Sequence, residues 1–120
     1  MFYFLGDGDK TMKFLSRSEE LILIAIWRLK GDAYVVTIRE ELKKMTGETW
    51  AVGALFVTLD RMISKGYLDS RFSAPTASRG GRSKRLYKLT PSAVDALNAI
   101  RRLQASVWRD IPAITKKELA

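Results

Sequence analysis

Tyr67-Leu68-Asp69-Ser70-Arg71-Phe72, a loop from Ser73 to Lys84, and Arg85-Leu86-Tyr87-Lys88-Leu89 form the stretch whose reading decides the fold. Both flanks alternate with a period of roughly two, which predicts antiparallel strands around a wing-like loop. From Ser70 to Val94 there is no Asp or Glu, while Arg71, Arg79, Arg82, Lys84, Arg85 and Lys88 all fall there. A solvated turn has no need of such one-sided charge. Cations on a loop can neutralise phosphates and release counterions, so the segment reads first as a nucleic-acid contact. Gly80 and Gly81 allow backbone shapes that side chains forbid, and an arginine beside them can enter a narrow A·T-rich minor groove. The plain alternative is a basic hairpin tip that only improves solubility. Gly80-Gly81-Arg82 lacks the strand-to-helix setting of a nucleotide phosphate loop.

Upstream, Ser16-Arg17-Ser18-Glu19 matches a capping box and starts a first helix, apolar on nearly all sides through Leu21 to Trp27 and stopping before Gly31. A second box, Thr37-Ile38-Arg39-Glu40, lies at or near the start of helix two, whose Ile38, Leu42 and Met45 share one face. Gly47 ends it. After Gly47 to Trp50, the inward stripe Val52, Leu55, Leu59 and Met62 defines a third helix that Gly66 terminates. Two short helices around a Gly-containing turn make a helix-turn-helix candidate. Downstream, Thr90-Pro91 sets an N-cap and a first helical position for a long helix ending before Ile111-Pro112. Its Ala93, Ala96, Leu97, Ile100, Leu103 and Val107 form an apolar stripe.

The expected class is mainly α with a two-stranded β-wing, a winged helix-turn-helix followed by a long C-terminal helix. Residues 1–15 read as an N-terminal extension, 16–90 as the winged domain and 91–120 as a dimerisation helix and tail. The 120 residues are 47% hydrophobic and 28% charged, enough for one self-sufficient core. With neither Cys nor His, disulfides, thiolate chemistry, the commonest general base and the commonest metal ligand are all removed. No enzyme activity, cofactor or metal site is expected. No apolar run approaches membrane-spanning length and Met1 to Leu5 has no basic flank, so the expected compartment is the cytoplasm. A net charge of +8 favours a polyanionic partner, and its distribution sharpens the point, because acids gather at Glu19, Glu20, Glu40, Glu41 and Glu48 while the basic excess lies downstream. The adjacent carboxylates read as cap and surface residues rather than acid/base pairs.

The chain resembles the PadR family of bacterial transcriptional regulators. The likeness runs from about Leu21 to Leu97 and rests on Gly31-Asp32-Ala33-Tyr34, on Gly53-Ala54-Leu55-Phe56-Val57-Thr58-Leu59-Asp60-Arg61-Met62, on Lys65-Gly66-Tyr67-Leu68, and on the run from Arg79 to Thr90. The resemblance implies a homodimer that binds double-stranded DNA at a roughly palindromic operator, usually as a repressor, with the C-terminal helix supplying much of the dimer interface. The short C-terminal region looks like the compact subtype. Members commonly have Tyr where Phe56 stands and Ser or Thr where Ala51 stands, so a phosphate contact and a helix N-cap are altered, or the cap is supplied by Thr49.

On helix three the face opposite the inward stripe carries Gly53, Ala54, Val57, Arg61 and Ser64, with Thr58 on its flank and Thr49, Trp50 and Ala51 in the turn ahead. Small apolar groups there can touch thymine methyls, and Arg61 can reach guanine or phosphate. The wing contributes Arg79, Gly80, Gly81, Arg82, Ser83, Lys84 and Arg85. Trp50 packs on the domain or leans on sugar and phosphate. Leu97, Ile100, Leu103, Val107 and Trp108 are the expected dimer interface. In some relatives an aromatic on this helix lines a pocket for a small hydrophobic effector, the alternative to a plain interface anchor at Trp108. Two rivals stand beside the DNA-binding reading: an RNA- or ribosome-associated basic protein, and a winged-helix module for protein assembly.

Overall fold

The computed structural model describes residues 14–74 and 83–119. Helix α1 spans Arg17–Arg28 and opens with the capping box the sequence predicts. The Glu19 amide donates to Ser16 Oγ at 3.1 Å, and the Ser16 amide donates to Glu19 Oε1 at 2.9 Å. The helix ends differently from expectation. The first left-handed residue after the Leu29 cap is Lys30, with φ 51, and Gly31 follows with φ 96.

Helix α2, Val35–Thr46, begins before its predicted box. Thr37 is its third residue rather than its cap: its Oγ1 accepts from the Tyr34 amide at 3.0 Å and donates to the Asp32 carbonyl at 2.5 Å. One hydroxyl thus ties the entering loop to the first turn. Gly47 closes α2 with φ 79, and its amide donates to the Lys43 carbonyl at 2.8 Å. Glycine takes this left-handed turn without the steric cost a Cβ would bring. Helix α3, Val52–Ser64, follows.

Strands β1 (Leu68–Phe72) and β2 (Arg85–Leu89) pair antiparallel, with Leu68 opposite Leu89 and Phe72 opposite Arg85. The Tyr87 amide donates to the Ala33 carbonyl at 2.9 Å, so the loop before α2 extends the small sheet by one bond. Helix α4 spans Pro91–Val107, with Thr90 Oγ1 accepting from the Ala93 amide at 3.3 Å and donating to the Gly66 carbonyl at 2.6 Å. A 3-10 turn at Lys116–Leu119, which the sequence pattern does not announce, ends the described chain.

The four helices α1 to α4 and the two strands share one core. Ile22, Leu23, Ala25 and Ile26 of α1 meet Ile38 and Leu42 of α2, Leu55, Leu59 and Met62 of α3, Leu68, Tyr87, and Ala93 and Ile100 of α4. The core begins at Leu15, one residue before the boundary expected for the winged domain. Glu19 and Glu20 depart from expectation too. Neither is a surface residue, at 4% and 7% exposed.

Candidate nucleic-acid interface

Burial sorts α3 into two faces. Leu55, Leu59 and Met62 are completely enclosed, while Gly53, Ala54, Phe56, Val57 and Arg61 face solvent and Thr58 lies at the border. Val52, expected on the inward stripe, is exposed instead, because it is the first residue of the helix and lies beyond the enclosed part of that stripe. Val57 is 61% exposed, a large apolar group left in water by a helix that has already filled its share of the core. The Thr58 hydroxyl is turned back on the Ala54 carbonyl, donating to it at 3.1 Å.

The N-terminus of α3 is bare. Ala51 occupies the cap position with no side-chain hydrogen bond, and no acid lies in the first turn. Thr49 does not replace the missing cap. The first amides of α3 therefore point outward with the positive end of the helix dipole behind them, an arrangement suited to an anion. Arg39 of α2 fixes the turn ahead of it, donating from Nε to the Trp50 carbonyl at 2.6 Å. The Trp50 ring is half-buried against the core, as the packing alternative requires. Sequence reading missed Arg39, because a side chain that reaches a carbonyl across a turn leaves no periodic trace. It also missed the shallow depression beside this turn, lined by Val35, Val36, Lys43, Lys44, Thr49 and Val52.

Arg61 sits on the outward face yet is not free. Its Nε lies 3.7 Å from Glu19 Oε2, and Lys65 Nζ lies 2.8 Å from the same oxygen. Burial pushes the Glu19 carboxyl up, but the hydrogen bond from Lys65, the Ser16 amide and the Lys65 charge together outweigh it and hold Glu19 below its ordinary value. That buried carboxylate joins the start of α1 to the end of α3 and draws Arg61 toward the protein.

The wing divides likewise. Arg79, Gly80, Gly81 and Arg82 lie outside the described residues. At the wing base, the Ser73 amide donates to the Lys84 carbonyl at 2.8 Å and the Lys84 amide to Ser73 Oγ at 2.9 Å. Ser83 is exposed. Lys84 folds inward, with Nζ 3.8 Å from Asp32 Oδ1 and 4.3 Å from the centre of the Tyr34 ring. Arg85 donates from Nε to Ser70 Oγ at 3.2 Å and from Nη1 to Asp60 Oδ1 at 3.4 Å. Two of the expected wing cations are thus engaged by the protein's own acids.

The expected dimer residues also separate. Ile100 is 8% exposed and belongs to the core of the chain itself, packed with the other buried side chains rather than left for a partner. Leu97 and Leu103 are half-buried, whereas Val107 and Trp108 are 59% and 55% exposed. A groove of about 520 Å³ runs between α1 and α4, lined by Ile24, Trp27, Val94 and Leu97 with Glu20 and Gln104 on its polar side. Trp27, not Trp108, is the indole beside it, and Lys30 Nζ stands 3.1 Å from the centre of a Trp27 ring. Among the described residues no cluster of three or more His, Cys, Asp or Glu side chains could hold a metal ion, and no helix is long and apolar enough to cross a membrane.

No family model and no curated protein matches the chain. Solved structures do. A PadR-like transcriptional regulator from Bacillus cereus superimposes with a TM-score of 0.62 at 19% identity, over 75% of this chain and 82% of that one. The RosR protein of H. salinarum gives 0.63 at 22%, covering 82% and 81%. A PadR family transcription regulator from Clostridium difficile gives 0.59 at 22%, covering 78% and 92%. The chain has the winged-helix fold of PadR-like regulators, as its motifs led one to expect.

Proposed function

We propose that this protein is a sequence-specific DNA-binding transcription regulator, acting in the cytoplasm as a homodimeric repressor on an inverted-repeat operator. The observation that carries the reading is the outward face of α3. Small and apolar groups at Gly53, Ala54, Val57 and Thr58 sit behind an uncapped helix N-terminus, with a basic wing fastened alongside. Small residues let a backbone approach base edges, methyl and isopropyl groups meet thymine methyls, and bare amides donate to phosphate oxygens. The Bacillus cereus and Clostridium difficile proteins that share the fold are themselves named transcription regulators, which supports the same conclusion.

In this reading α3 enters the major groove and the wing tip, with Arg79 and Arg82, grips the adjacent backbone or minor groove. Two protomers would place their α3 helices about 34 Å apart, one turn of duplex. If the dimer neutralises about eight phosphates, log affinity falls with log salt at a slope near −7. The test is a footprint on duplex DNA containing the protein's own upstream region, with salt titration and unrelated DNA as competitor. A protected inverted repeat is expected; binding blind to sequence, or a preference for structured RNA, would overturn the reading.

A further inference from the structure

Asp60 is an acid on the outward side of the very helix assigned to DNA, 63% exposed as a side chain. Simple electrostatics makes it a handicap there, since a carboxylate near a polyanion is repelled. Its surroundings give it another role. Asp60 Oδ1 accepts from Arg85 Nη1 at 3.4 Å, and Arg85 Nε donates across the sheet to Ser70 Oγ at 3.2 Å. Arg85 lies opposite Phe72 at the last rung of the wing, directly before the Ser73 and Lys84 bonds that close its base. One guanidinium therefore touches β1 and α3 from the strand that leads out of the wing loop. A fork of fixed planar geometry suits such a three-way joint better than a flexible ammonium.

We propose that Asp60, Ser70 and Arg85 form a clamp that sets the angle of the wing against α3, so that Asp60 raises DNA affinity although its charge opposes DNA. The inference rests on the DNA-binding reading above. It also reassigns Arg85 from a phosphate ligand to a positioning residue. A wing held at its bound angle before the encounter spares the ordering that a free wing would undergo on DNA.

The experiment compares wild type, Asp60→Ala, Arg85→Ala and the double variant in two measurements. The first is amide hydrogen exchange at Ser73 and Lys84, the two bonded amides of the wing base, in the free protein; the clamp predicts faster exchange in all three variants, and unchanged exchange overturns it without any DNA present. The second is affinity for the footprinted duplex across a salt series. Each single variant should bind about threefold to fivefold more weakly, the range of an exposed ion pair, and the double variant about as weakly as either single one. The salt slope should stay at its wild-type value, whereas loss of a phosphate ligand lowers it by about one per protomer. Tighter binding by Asp60→Ala, or a reduced slope for Arg85→Ala, overturns the clamp. Failure of the wild type to bind any duplex instead overturns the DNA-binding reading and leaves the exchange result to judge the clamp.

Discussion

Glu19 shows how far a residue's meaning depends on what the fold brings near it. Its capping role was legible at a spacing of three from Ser16, but Lys65 and Arg61 reach it from the far end of α3. Because the folded state holds this carboxyl below its ordinary value, its contribution to stability is present above the unfolded-state value and is lost as pH falls through the folded one. Wild type should therefore lose stability between about pH 5 and about pH 3, and Glu19→Gln, less stable at neutral pH, should lose less over that interval. Urea midpoints across pH check this; parallel curves would show that the pairing contributes nothing. Glu20 is the other buried acid among the described residues, 3.2 Å from Arg17 and 3.4 Å from Gln104 on α4. Nothing in the sequence separates it from the solvated Glu40, because burial of an acid needs a partner supplied by another element.

At the scale of elements, helix and strand periods were enough to find the four helices and two strands, while the end signals placed some boundaries a residue or two off. β2 coincides with its predicted span and β1 starts one residue later, while α2 starts two residues before Thr37 because that hydroxyl reaches back instead of capping. The bare start of α3 can be repaired. Ala51→Ser should add about 0.5–1 kcal/mol, seen as a rise of a few degrees in Tm, because Ser accepts one of the orphan amides. The same hydroxyl would compete with any phosphate for those amides, so no change in Tm would argue that the cap site is already satisfied. Interface chemistry separates at this scale as well. Arg82→Ala should weaken binding by a similar factor on every duplex, whereas Val57→Ala should act at particular base pairs. Gel-shift titrations on an operator set with single base-pair changes distinguish the two, and equal losses for both variants on all sequences would refute the division of labour.

For the whole molecule, the apolar stripe of α4 serves two destinations. Ile100 faces the protomer's own core and Ile100→Ala should cost about 2–4 kcal/mol in unfolding free energy without altering assembly. Val107 and Trp108 are exposed in the single chain, and the proposed dimer covers them. Trp108→Asp should leave the fold intact, shift sedimentation toward the monomer and weaken operator binding at least about tenfold, since in the proposed dimer each protomer reads half of a palindrome. A variant that remained dimeric would place the interface elsewhere. Local pattern settled the order of the four helices and two strands, the capping at Ser16 and Thr90, the turn at Gly47, the basic excess of the wing and, Val52 apart, which side of α3 faces outward, because each depends on neighbours within a few residues of chain. Tertiary structure alone decided which charges are free. Lys84 and Arg85 are turned to Asp32 and Asp60, Arg61 to Glu19, and Ile100 to the core, since each of those partners comes from a distant segment and a one-dimensional pattern carries no record of the distance between them.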